Sequence, residues 1–114
     1  MSIECFEDVV AWQKSKQLTV HIYTTLTDNR DYSFRDQIQR ASVSIMNNIA
    51  EGFERKSNTE LKQFLFIAKG SCGEVRSMLK LGRELGYLSP AQGEELVELS
   101  YEISRLLSAF IKKI

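Results

Sequence analysis

Along this chain apolar residues recur at intervals of three and four, and no stretch sustains the alternation in twos of a half-buried strand. A helix turns about 100° per residue, so such intervals gather apolar side chains on one face. Four stretches of this kind cover nearly the whole chain. In the first, over about residues 7–27, Ala11, Ser15, Leu18, Ile22 and Leu26 make one stripe, with Trp12, Val20 and Tyr23 beside it. The second, about 34–53, carries Phe34, Ile38, Ala41, Ile45 and Ile49. The third, about 58–86, carries Leu61, Phe64, Leu65, Ala68, Cys72, Val75 and Leu79. The fourth, about 90–112, carries Leu96, Leu99, Ile103, Leu106, Phe110 and Ile114.

Local signals divide the stretches. The polar run Asp28-Asn29-Arg30-Asp31 reads as a turn. Ser33, with Asp36 three residues on, is placed to cap the second helix, which Gly52 and Glu54-Arg55-Lys56 bring to an end. Ser57-Asn58-Thr59-Glu60 has the form of a capping box. Leu85-Gly86-Tyr87-Leu88 reads as a glycine helix stop, and Ser89-Pro90-Ala91-Gln92 as a start with proline in the first turn. Four long helices joined by short loops predict an all-α, antiparallel up-down-up-down four-helix bundle, one domain over residues 1–114.

Two helices hold more than one core stripe accounts for. On the second, Val43, Met46, Ala50 and Phe53 fall roughly opposite the core face. On the third, Phe66, Gly70, Gly73 and Ser77 do the same. Glycine inside a helix costs about 1 kcal/mol relative to alanine, so two on one outer face suggest close approach by another backbone. These eight positions form the expected homo-oligomer interface; packing inside one bundle is the alternative. Between the two faces of the second helix runs a polar ridge of Arg40, Ser44, Asn47 and Glu51, with Asn48 at the edge of the core. A buried amide there would fix the register of neighbouring helices, and an inter-helix salt bridge or hydrogen-bond network is the simplest use of the rest.

Charge adds one further feature. The 114 residues hold fifteen bases and fifteen acids, a balance that argues against binding nucleic acid by bulk positive charge. Yet Lys62, Lys69, Arg76 and Arg83 recur every seventh residue on the third helix, with Lys80 beside them. The row either pairs with Glu95, Glu98 and Glu102 of the last helix, the reading preferred here, or contacts phosphate.

Candidate chemistry is sparse. His21 is the only histidine, and Cys5 and Cys72 lie far apart with no Cys/His cluster, so neither a zinc site nor a disulfide framework is expected. No Glu-x-x-His pair of di-iron bundles and no glycine-rich phosphate loop occurs. The expectation is therefore no enzyme, no cofactor and no metal. The acid-bearing N-terminus MSIECFEDVV lacks the basic region of a signal peptide and no long apolar run follows, so a cytoplasmic protein without membrane contact is expected.

The chain also resembles a known family. Ala11-Trp12-Gln13-Lys14, then Gln39-Arg40-Ala41-Ser42-Val43-Ser44-Ile45 running on to Asn48-Ile49-Ala50-Glu51-Gly52-Phe53, then Glu60-Leu61-Lys62-Gln63-Phe64-Leu65 with Ala68-Lys69-Gly70-Ser71, and finally Leu85-Gly86-Tyr87-Leu88-Ser89, are similar in order and distance to the bacterial four-helix bundle proteins encoded in 23S rRNA intervening sequences. The resemblance spans essentially the whole chain. It implies an antiparallel bundle that assembles with itself as a pentamer and has no enzyme activity. A similar protein, the accessory variability determinant of diversity-generating retroelements, works with a reverse transcriptase and binds nucleic acid; it is strongly basic, whereas this chain is neutral. One position departs from the pattern: Met46 stands where the family usually has proline, so a straighter second helix is expected. Three functions are weighed: first a homo-oligomeric scaffold or adaptor, then an accessory protein that binds structured RNA or DNA through Lys62, Lys69, Arg76, Lys80 and Arg83, and last an enzyme or small-ligand protein using Arg40, Asn47 and Glu51 at an interface.

Overall fold

The structure, a computed structural model, describes residues 5–114; Met1–Glu4, the start of the acidic N-terminal stretch, lie outside the described residues. A short 3-10 turn, Phe6–Asp8, precedes four helices: α1 Val10–Thr25, α2 Tyr32–Phe53, α3 Asn58–Glu84 and α4 Pro90–Lys113. Helix α3 sets the long dimension. Its 27 residues, at about 1.5 Å each, nearly fill the 43 Å axis of a 43 × 22 × 19 Å molecule. Each helix packs on its neighbours in sequence, and α1 closes the bundle against α4; the diagonal pairs α1–α3 and α2–α4 make no close backbone contact. This is the expected all-α, up-down-up-down bundle, with no strand among the described residues.

The stripes read from periodicity form the core. Leu18, Ile22, Leu26, Ile38, Ile45, Ile49, Leu65, Leu79, Ile103 and Leu107 are essentially sealed from solvent. Four hydroxyl residues, Ser15, Thr19, Ser42 and Ser100, are buried with them. Each satisfies its hydroxyl on a carbonyl of its own helix, and Thr19 Oγ1 also reaches Ser42 O of α2 at 3.2 Å. Buried hydroxyls are tolerated because they are bonded.

Helix ends differ from the expectation in three places. The first helix begins at Val10 rather than near Glu7, because Val9 takes an extended conformation (φ −78°, ψ 119°) that buries its side chain. The second begins at Tyr32, capped by Asp31 instead of Ser33: Asp31 Oδ1 accepts the Phe34 N–H at 3.1 Å. The Ser57 box is half made. Ser57 Oγ accepts the Glu60 N–H, but the Glu60 carboxylate turns to the Ser57 hydroxyl and not to its backbone. The Ser89 box is complete, with Gln92 Oε1 accepting the Ser89 N–H in return. Helix α3 stops as expected at Gly86, whose φ of +77° suits glycine. Tyr87 N–H then bonds to Gly82 O and Gly86 N–H to Arg83 O, and Leu88 folds into the core. Helix α2 runs unbroken through Met46.

Candidate functional site

The polar ridge of α2 does not converge on one point. Ser44 Oγ lies 2.9 Å from Ser71 Oγ of α3, and Asn48 Nδ2 donates to Ser44 O and Ser44 Oγ at 2.8 and 3.0 Å. Half-buried Asn48 thus ties the α2–α3 seam through its own helix. Asn47 faces solvent. Glu51 pairs with Arg55 one turn on, at 2.8 Å, and not with Arg40. Arg40 borders a groove of about 550 Å³ between α2 and α3, with Asp36 and Glu74 on its walls and the Ser44–Ser71 pair beside them. No carboxylate lies within ion-pair distance of Arg40 among the described residues.

The two expected outward faces separate. On α2, Val43, Met46, Ala50 and Phe53 are half-buried within the single chain. Phe53 packs edge-on against Phe110 of α4, ring centroids 5.3 Å apart, and Val43 shares a shallow groove with Tyr23 of α1. The outer positions of α2 are polar, among them Arg40, Asn47 and Glu51 of the ridge, while Ser44 and Asn48 turn into the α2–α3 seam. The second apolar set is a flank that the neighbouring helices partly cover. On α3, Phe66, Gly70 and Ser77 are open to solvent and Gly73 is half-buried. A Cβ added to Gly70 would meet nothing within 4 Å. Ile67, which periodicity left out of the set, widens this exposed face beside Phe66, and Leu81 and the C-cap Leu85 continue it toward the C-terminal end of the helix.

The basic row has not found the partners expected for it. None of Lys62, Lys69, Arg76, Lys80 or Arg83 lies within 4 Å of a carboxylate among the described residues. Glu102 instead pairs with Lys14 of α1 at 3.0 Å. Glu95 and Glu98 are exposed and make no ion pair among the described residues. The bases face a different side of α4. Arg76 stacks on the ring of Tyr101 at 4.5 Å, Lys80 stands 5.9 Å from the same ring, and the stem of Arg83 lies across Gly93. One Arg76 nitrogen, Nη1, is enclosed with no hydrogen-bond partner. Tyr101 was legible only as an aromatic off the core stripe of α4; nothing in the spacing tied it to Arg76.

Reactive groups are few. Cys72 is sealed in the core, its Sγ donating to Ser100 O at 3.1 Å. Burial pushes its thiol up to about 11, with the nearby Arg76 charge pulling the other way. Cys5 is exposed, and its bond to Asp8 holds its thiol above the ordinary value. His21 stands on the surface of α1. Among the described residues no three His, Cys, Asp or Glu side chains gather where a metal ion would be held. No described helix is long and apolar enough to cross a membrane.

Fold and surface together define a four-helix bundle whose distinctive features are an exposed apolar face on α3 and, beside it, a basic row with no carboxylate partner among the described residues. Residues 7–109 match the family model of the 23S rRNA-intervening sequence protein, and the chain belongs to that family. Its fold is similar to the crystal structure of a protein of unknown function from the S23 ribosomal protein family of Bacteroides thetaiotaomicron. The TM-score is 0.84 at 29% identity, over 90% of this chain and 98% of that one. No curated protein matches the chain.

Proposed function

We propose that this protein is a non-enzymatic, self-associating scaffold that works in the cytoplasm and presents its bundle to a macromolecular partner. The carrying observation is the outer face of α3. Phe66, Ile67, Leu81 and Leu85 stand 54%, 52%, 49% and 50% exposed, at either end of a small-residue middle of Gly70, Gly73 and Ser77. Four large apolar side chains on one helix face make a surface that association would cover, and the small middle would let a second backbone approach. Val43, Met46, Ala50 and Phe53 would contribute only their uncovered edges. The family resemblance makes a pentameric ring the expected assembly.

Sedimentation velocity at micromolar concentration tests this reading. A single oligomeric species is expected for the wild type, and a monomer for a Phe66→Glu, Leu81→Glu double variant. A wild-type chain that sediments as a monomer removes the proposal.

A second reading, binding of structured RNA or DNA, is favoured by one observation: the bases of α3 have no carboxylate partners among the described residues. A ring would multiply that row into a band of charge, the arrangement by which the strongly basic accessory variability determinant suggests a role. Affinity should then fall steeply with salt, the slope following the number of phosphates neutralised. Binding that is absent at low salt ends this reading.

A further inference from the structure

We infer that Arg76 and Lys80, gathered over the ring of Tyr101 at the α3–α4 seam, form a site for a phosphate group. The inference deepens the nucleic-acid reading and rests on it only for the source of that group: a backbone phosphodiester in that case, a small phosphorylated molecule otherwise.

The two cations are one turn apart on α3 and share one aromatic ring, at 4.5 and 5.9 Å. Like charges four residues apart on a helix repel by a few tenths of a kcal/mol, and neither has a carboxylate within 4 Å among the described residues. Nor does the core beneath supply a negative charge. Cys72, whose thiol Arg76 adjoins, is pushed up to about 11 and stays neutral at physiological pH. The ring face attracts both cations but brings no net charge and no acceptor lone pair for their N–H groups.

The guanidinium is also held in place. Its Nη1 is enclosed without a partner among the described residues, and its Cζ stands over the Tyr101 ring at 4.5 Å. Its Nη2 lies beside Gly73, where a Cβ would stand 3.8 Å away. Gly70, one turn back, has open space where its side chain would be. No side chain at either glycine stands between this edge of Arg76 and solvent. A planar fork whose orientation is already fixed loses little freedom on binding an oxyanion.

Phosphate fits this arrangement better than a carboxylate does. A phosphomonoester or inorganic phosphate offers at least three acceptor oxygens and up to two negative charges, enough to accept from both cations at once, and a backbone phosphodiester offers two free oxygens and one charge, which can bridge the cations but neutralise only one. A carboxylate would neutralise one of them.

The test is a titration with inorganic phosphate at constant ionic strength, followed through the Arg76 Nε–Hε resonance. A saturating shift is expected. Lys80→Met, at an exposed position, leaves the bundle intact and should weaken the apparent affinity tenfold or more. A shift that rises without saturating, or equal affinity in the Lys80→Met protein, overturns the site. A parallel arm measures binding of a labelled RNA hairpin at low salt. Loss of RNA binding in the Lys80→Met protein, with wild-type binding intact, supports a phosphodiester as the source. Saturating phosphate binding without RNA binding upholds the site, assigns it to a small phosphorylated molecule and ends the nucleic-acid reading.

Discussion

The hydroxyl of Tyr87 donates a 2.7 Å hydrogen bond to Asp31 Oδ2, joining the α3–α4 loop to the α1–α2 loop at one end of the bundle. Asp31 uses its other oxygen to cap α2 at Phe34 N–H, and the Tyr87 ring packs edge-on against Phe34 at 5.1 Å. Two residues 56 apart in sequence thus hold two loops and a helix start together.

This bond makes stability depend on pH at both extremes. The Tyr87 hydroxyl, and after it the Phe34 N–H, hold the Asp31 carboxyl below its ordinary value. Its contribution is present above the unfolded carboxyl value of about 3.9 and lost as pH falls through the lowered folded value. The Asp31 carboxylate holds the Tyr87 phenol above its ordinary value. That contribution is present below the unfolded value of about 10 and lost as pH rises through the folded value. Tyr87→Phe should lower the melting temperature at neutral pH and flatten both limbs. Equal pH profiles for the two proteins would show the bond to be idle.

Gly52 and Gly70 should respond to alanine with opposite signs. A Cβ at Gly52 would stand 2.9 Å from Phe64 Cβ and 3.1 Å from Leu61 Cδ1, where α2 and α3 meet. Overpacking of that kind costs about 1–3 kcal/mol. A Cβ at Gly70 meets nothing, so Gly70→Ala should stabilise the isolated bundle by up to about 1 kcal/mol. If α3 is the association face, the same substitution should weaken assembly. Urea denaturation of monomer and sedimentation of the assembled protein read the two effects separately.

The two thiols should differ in access. Alkylation in native buffer near pH 8 is expected to modify Cys5, slowly because its thiol is held above the ordinary value, and to spare Cys72. Denaturant should expose the second thiol. Mass spectrometry of the labelled protein distinguishes one adduct from two.

The two serine caps should be unequal. Ser57→Ala removes two bonds at the start of α3, from the Glu60 N–H and to the Glu60 carboxylate, whereas Ser89→Ala removes only the bond from the Gln92 N–H and leaves the backbone Ser89 N–H bonded to Gln92 Oε1. Losses of about 0.5–2 kcal/mol are usual for a cap, and the larger is expected at Ser57. Denaturation midpoints with unchanged m-values would measure both.

Periodicity alone exposed most of the fold, because a core stripe obeys a local rule: side chains three and four apart share a face whatever the neighbours are. The stripes, the glycine stop at Gly86 and the Ser89 box needed nothing beyond that. The α2 cap was misread because Ser33 and Asp31 are both competent cappers. Asp31 starts the helix where Phe34 enters the core and its free oxygen meets Tyr87, a contact local spacing does not encode.

The amino-acid order by itself determined four amphipathic helices, their approximate ends, the family and a row of bases at seven-residue intervals on α3. Tertiary structure decided what lies opposite each face. It turned Glu102 toward Lys14, left Arg76 and Lys80 over Tyr101, half-covered Val43 and Phe53, and left Phe66 in solvent. The reason is geometric. Helical spacing fixes the angle of a residue about its own axis, but the angle at which the next helix presents its flanks depends on how all four pack together.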